Sequence, residues 1–434
     1  MKKYLVITLI TAISIVSFFV FRGCKSATFV LPTVTNDNDV WVLDSLHVWQ
    51  NWQWRGENRN GKFMNETELL KVWAAEGPEL LWHFEGLGDG HTSAAIANGN
   101  IYITGAHGGR LVLYVLDMAG TLRRVKELGN DWTRGYPGPR SSVLVNDGKL
   151  YIFNAFGVLF CLDEKTLDEV WTKDLLNEFD GSNLFWGITE NPLIVDDKIF
   201  MQPGGSVHNM VALNKHTGAL IWSSKGEGTQ SAYCSPIFID GYAAPMVVTS
   251  TQRHLIAFNA NTGEVIWSFP QLRNAPHHCH PNMPIYRDGM IFTASGYGAG
   301  AMLVRLIDNG RAVEQVWTSE ADNQIGGAVI VGNNVYLSGH QRNFWYCVDL
   351  TNGETKYSVR ELSRSNIIYA DGMLYVYTQN GTMNLVKPNP DRFELVSSFR
   401  VTLGTDTHFS HPVINEGVLY IRHGDTLMAY NVKN

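Results

Sequence analysis

ALNKHTGALIW, Ala212 to Trp222, and AFNANTGEVIW, Ala257 to Trp267, are two copies of one pattern. A small residue is followed two positions later by Asn, four after that by Gly, and four further on by Trp. CLDEKTLDEVW (Cys161 to Trp171) and CVDLTNGETKY (Cys347 to Tyr357) keep the frame with substitutions. Asn or Asp with Thr-Gly is turn chemistry: the short side chain bonds the local backbone and Gly accepts a positive φ. The pattern predicts two strands joined by a tight turn, the second ending in a flat aromatic suited to filling a gap between packed sheets.

Upstream of each copy lies a second hairpin, apolar on both arms and turned by an Asn/Asp-Gly-like step. Asn98-Gly99 leads to Tyr102, Asp147-Gly148 to Tyr151, Asp196-Asp197 to Phe200, and Asp240-Gly241 opens a fourth with a longer turn before Met246. Asp288-Gly289 leads to Phe292, Gly332-Asn333 to Tyr336, Asp371-Gly372 to Tyr375 and Glu416-Gly417 to Tyr420. The aromatics recur at 49, 49, then 92 across two units, 44, 39 and 45 residues. Periods of this length are those of a propeller blade. The reading is all-β: an eight-bladed β-propeller of four-stranded antiparallel blades, preceded by one hydrophobic N-terminal helix.

The eighth unit, at DTLMAYNV (Asp425 to Val432), lacks a Trp-bearing strand, and PELLWHFEG (Pro78 to Gly86) carries one with no blade before it. Leu80 to Phe84 is therefore expected to complete the last blade, which removes an open sheet edge.

Bulk properties narrow the function. The chain has 434 residues, 17% of them charged, and a net charge of −7 with no basic block. A nucleic-acid surface needs clustered Lys and Arg, so no such partner is expected. Five cysteines (24, 161, 234, 279 and 347) form neither a disulfide framework nor a CxxC motif, and Cys161 and Cys347 read as small buried strand residues. Lys2 and Lys3 precede an uncharged run from Tyr4 to Phe21, then Arg22-Gly23-Cys24. This is an export pattern, and it leaves three tethers open: an uncleaved anchor, a lipoprotein acylated at Cys24, or simple cleavage. The domain reading is 1–26 signal or anchor, 27–48 linker and 49–434 propeller. All three tethers place the folded part outside the cytoplasm, and a membrane-tethered monomer is expected.

The repeat resembles the tryptophan-docking unit of the quinoprotein (PQQ-like) propeller family. WQNWQWRGENRNG, Trp49 to Gly61, with KVWAAEGPELLW after it, resembles the opening of PQQ-like envelope propellers and, more distantly, the propeller lipoproteins of outer-membrane assembly. The repeat is shared by dehydrogenases and scaffolds, so it speaks for fold more than for activity.

In such a ring the residues leading into each first strand circle one channel mouth. They are His91, Arg140, Trp186 with Glu190, Tyr233, His280 with Asn282, Gly326-Gly327, Arg364 with Asn366, and His408 with His411. A ligand pocket there would have Arg140 and Glu190 as charged anchors; the plainer reading is strand-end capping and channel water. In His277-His278-Cys279-His280, alternation puts His278 and His280 on one face, which makes them weak candidates for a metal that would need a third ligand from another blade.

The resemblance implies that the enzymes of the family hold PQQ with calcium at one mouth, using Glu, Asn, a base Asp and often adjacent cysteines. Glu190 and Asn282 suit two of those positions, but there is no Cys-Cys pair, no evident catalytic Asp and no haem motif. No Gly-x-Ser-x-Gly elbow occurs, and GYGAGA (Gly296 to Ala301) follows a strand, opens no helix and reads as a strand connection. The leading expectation is a non-catalytic envelope scaffold or ligand-binding module without cofactor, holding a protein or glycan partner. The alternative is a quinoprotein-type oxidoreductase with PQQ and calcium.

Overall fold

The computed structural model describes residues 51–272, 279–325, 327–362 and 364–434. The expected signal or anchor at 1–26 with Cys24, the expected linker at 27–48, and His277, His278 and Gly326 lie outside them. The described chain forms eight antiparallel sheets in sequence order, spanning 95–130, 144–174, 193–224, 237–270, 285–319, 329–359, 365–400 and 413–431. We call these blades 1 to 8. Blade 8 takes its fourth strand from Leu80–Glu85, with Trp82 opposite Ala429. The ring closes as its sequence pattern requires.

Blades 2, 3 and 8 repeat one cross-strand row. Tyr151, Cys161 and Trp171 lie side by side on strands two, three and four of blade 2. Phe200, Ala212 and Trp222 do so in blade 3, and Tyr420, Ala429 and Trp82 in blade 8. In these three blades the two rings meet over the small middle residue, with centroids 6.1, 5.8 and 6.0 Å apart. A bulge beside the row in these blades turns the outer strand and increases its twist.

The Trp then reaches the next blade. Trp171 Nε1 donates to the Lys215 carbonyl (3.0 Å), Trp222 to Ala260 (3.1 Å), Trp317 to Leu350 (2.8 Å) and Trp82 to Met118 (3.0 Å). Glycine is required under the indole: a Cβ on Gly263 would lie 2.5 Å from Trp222, and Gly263 has φ +79. In blade 1 the position is held by Arg124, which donates to the Glu164 carbonyl at 3.0 Å.

A second belt joins the innermost strands. Ser93 N donates to Ser142 Oγ, Ser142 N to Asn191 Oδ1, and Asn191 N to Ser235 Oγ. Asn282 Nδ2 reaches the Asn323 carbonyl, Asn366 Nδ2 the Phe409 carbonyl, and Ser93 Oγ the His411 carbonyl. The ring is thus stitched at its inner rim by polar groups and at its outer rim by aromatics.

The channel is filled from one end by residues 51–66. Asn51 accepts from Ile96 N in blade 1, Trp52 from Val145 N in blade 2, and Gly61 from Tyr369 N in blade 7. Arg59 donates to the carbonyls of Asn191 and Pro192 at blade 3, Arg55 to Ala328 at blade 6, and Asn51 Nδ2 to Ile414 in blade 8. Trp54 packs against the apolar cluster that blades 4 and 5 share. A segment bonded to blades 1, 2, 3, 6, 7 and 8 and packed against the cluster of blades 4 and 5 lies on the axis. Lys62–Phe63 adds a short parallel strand to blade 7, and Glu66 receives the Glu416 and Gly417 amides. The plug therefore covers the face that carries the Asp-Gly turns, here called the lower face.

Candidate functional site

With the lower end plugged, the upper mouth is a blind cup of about 290 Å³, near the small end of the ligand-pocket range. Trp54 reaches it from the plug. The loops entering the blades supply His91, Arg140, Trp186, Tyr233, Arg364 and His411, all six named by the sequence reading. Tyr136, Tyr297 and Phe409 add aromatic wall. Trp186 and Tyr297 lie with planes 3° apart and centroids at 6.2 Å, Phe409 contacts His91 and Tyr136, and Trp54 meets His411 edge-on at 5.1 Å.

Glu190, His280 and Asn282 also belong to the sequence-predicted set, and the structure does not bring them into the cup. The reason is the two-residue period of extended chain. Thr189 and Asn191 line the cavity, as do Cys279 and Pro281, so the residues between and beside them point into the wall. Glu190 is buried and accepts from Gln202 N at 3.1 and 3.2 Å. His280 is buried between Ser295 Oγ (2.5 Å) and the Gln252 carbonyl (3.2 Å), and Asn282 belongs to the inner belt. His408 stacks on His423 with centroids 3.6 Å apart and bonds Tyr377 Oη.

The cup is cationic. Its described lining contains two arginines and no carboxylate. Arg140 donates to the carbonyls of Gly135, Tyr136 and Gly138, and Arg364 Nη1 to Gln324 Oε1 at 3.2 Å. Burial lowers the Arg140 pKa to about 10, where the group is still charged at neutral pH. Desolvation first, then the charges of Arg140 and Arg422, push the His91 imidazole down to about 3 against a smaller opposing pull from the Tyr136 backbone. Burial likewise holds His411 well below its usual value. Both histidines are neutral donor–acceptors.

Desolvation raises the Glu190 carboxyl to about 8, opposed by the Gln202 amide and the charge of Arg59, so it is mostly protonated at pH 7. A hard cation takes several anionic or carbonyl oxygens, and Glu190, bonded inside the wall, is not among the residues that line the cup. Among the described residues no group of three His, Cys, Asp or Glu stands ready for a metal. The described lining of the cup offers no carboxylate oxygen to a calcium ion. Cys161, Cys234, Cys279 and Cys347 are free and buried. Burial lifts the Cys279 thiol, which lines the cup, to about 12, leaving it unreactive.

The family described as outer membrane protein assembly factor BamB matches residues 66–237 and 210–389, well over half of the chain. The chain belongs to that family. Among solved structures of the same fold, BamB from Moraxella catarrhalis is 15% identical with a TM-score of 0.61, covering 82% of this chain and 99% of that one. Quinohemoprotein alcohol dehydrogenase from Comamonas testosteroni is 12% identical with a TM-score of 0.65, covering 89% and 81%. A quinoprotein ethanol dehydrogenase of Pseudomonas aeruginosa is 33% identical over 88 residues, 20% of this chain. That match spans 14% of the dehydrogenase's length. The fold is thus shared with an assembly factor and with dehydrogenases, and it does not choose between them.

Trp54, Tyr136, Tyr297 and Phe409 are cup residues that the sequence reading did not single out. The opening segment around Trp54 was visible as a motif, but nothing in it marks a channel occupant.

Proposed function

We propose that this chain is a non-catalytic binding module of the bacterial envelope that holds a partner at the upper mouth of its ring. The observation that carries the reading is the cup itself: blind, cationic and aromatic, with no carboxylate in its described lining to act as base or cation ligand. Acid–base work needs a titrating group within reach of substrate, and the groups here are neutral histidines and fixed arginines. The envelope assignment rests on the export-like N-terminus and on the assembly-factor description of the family. The partner is a protein or glycan of that compartment. The rim offers Phe185, 68% exposed, as an apolar contact beside Trp186.

The local likeness to quinoprotein ethanol dehydrogenase favours a second reading, a PQQ- and calcium-dependent oxidoreductase. The placement of Glu190 speaks against it, because its carboxyl is bonded to Gln202 N inside the wall and does not line the cup.

The test is a photo-crosslinking residue at Phe185 in living cells, with a second at Glu354 on the lower rim as control. The binding reading expects an envelope component captured from Phe185 and not from Glu354. Alcohol-dependent dye reduction by purified protein supplied with PQQ and calcium would overturn it.

A further inference from the structure

Several features of the cup point to one kind of ligand. The first is charge. Arg140 and Arg364 line the cavity, and among the described residues neither is ion-paired to a carboxylate. A cation in a partly desolvated, low-dielectric recess attracts an anion more strongly than one in open water.

The second is polarity: His91 and His411, 9% and 7% exposed, both line the cup, and His411 Nδ1 is buried with no partner among the described residues. Buried polar atoms left unpaired in a native fold call for an explanation, and a bound group is one.

The third is shape. Trp54 below, with Trp186, Tyr297, Tyr136 and Phe409 around it, gives flat apolar surface for a ring to lie against. The volume, about 290 Å³, admits a one- or two-ring molecule.

We propose that the cup takes a small aromatic carboxylate, bound without a metal, its ring on Trp54 and its carboxylate paired with the rim arginines. Trp54 is the specificity-determining residue, and it comes from the plug. The proposal rests on the reading of the upper mouth as a binding site, and it adds the ligand class.

The experiment is titration calorimetry on the full chain in detergent and EDTA, with 1-naphthoate and its neutral counterpart 1-naphthalenemethanol as probes. Naphthoate is expected to bind, and the alcohol to bind at least about tenfold more weakly, the scale of one charge-assisted contact. Arg364→Gln is the safer variant, since its guanidinium engages Gln324 alone among the described side chains, whereas Arg140 also holds its own loop. It should weaken naphthoate by about tenfold and leave the alcohol and the circular dichroism spectrum unchanged. Trp54→Leu should weaken both probes.

Equal affinity for the two probes, an Arg364→Gln protein that binds naphthoate like the parent, or binding that appears only with added calcium would each overturn the proposal. Failure of naphthoate to bind at all would also overturn it. In that case, continued capture of a partner from Phe185 leaves the docking reading standing, so the two failures are distinguishable.

Discussion

Replacing Trp222 and Trp267 by phenylalanine, one at a time, tests how the blades are joined. The two indoles occupy equivalent positions in neighbouring blades and are similarly buried, 8% and 6% exposed. They differ in one bond. Trp222 Nε1 donates to the Ala260 carbonyl at 3.1 Å, while Trp267 Nε1 is buried with no partner among the described residues. Blade 5, onto which Trp267 docks, lacks the Asn-x-x-Thr-Gly turn; its Gly310 meets Tyr242. The loss of ring area and the small cavity are common to both variants and cancel in the comparison. What remains is about 1 kcal/mol for the hydrogen bond lost at Trp222, and about 1–3 kcal/mol regained at Trp267 when an orphan donor disappears. Trp222→Phe should therefore be more destabilising than Trp267→Phe by about 2–4 kcal/mol. Urea midpoints followed by far-ultraviolet circular dichroism, with m unchanged, measure the difference. A gap under about 0.5 kcal/mol, the scatter of ordinary surface changes, refutes the role given to the bond.

Further outcomes follow from other features. Gly263→Ala puts a methyl 2.5 Å from Trp222, whereas Gly148→Ala, at a similar positive φ, meets open space; the first should lower the melting temperature well beyond the second, whose cost is about 1 kcal/mol of backbone strain. Because the folded pKa of Glu190 is raised from 4.5 to about 8, its stabilising protonated form is fully present below pH 4.5 and lost as pH rises through about 8. Urea midpoints of the parent should fall across that window, and those of Glu190→Gln should fall less. His91 has the opposite sign: its pKa, lowered from 6.5 to about 3, makes stability fall as pH drops through that window, and His91→Asn should flatten the fall in a calorimetric pH series. Arg59→Leu leaves the Asn191 and Pro192 carbonyls without that donor, at about 1–3 kcal/mol, and should hasten tryptic cleavage at Lys62.

The parts of this molecule that were legible in the sequence are those whose physics is local. A turn glycine and the Trp four residues after it announce a blade, and the orphan strand at Pro78–Gly86 finds its place by elimination. The position of the upper mouth followed from the same register, which is why six of its residues were found. Glu190, His280 and Asn282 were misplaced by a single step of side-chain alternation, because nothing in FWGITENP or HCHPNMP marks which of two adjacent polar residues faces inward. The plug was illegible for a different reason. Its bonds run from Arg59 to Asn191, from Arg55 to Ala328 and from Asn51 to Asn415, each to a different sheet, and contacts that distant leave no periodic trace.

The start and finish of the described chain are knitted together. Leu70 N bonds the Val432 carbonyl, Asn434 N the Glu68 carbonyl, and Asn431 N the Glu79 carbonyl, all beside the shared strand of blade 8. Closing so long a loop adds only about 2 kcal/mol over closing a single blade, since the entropy grows with the logarithm of length. The demand it makes is one of timing. A growing polypeptide must carry the strand Leu80–Glu85 unmated until the trailing blade arrives, so the toroid is sealed in one late event.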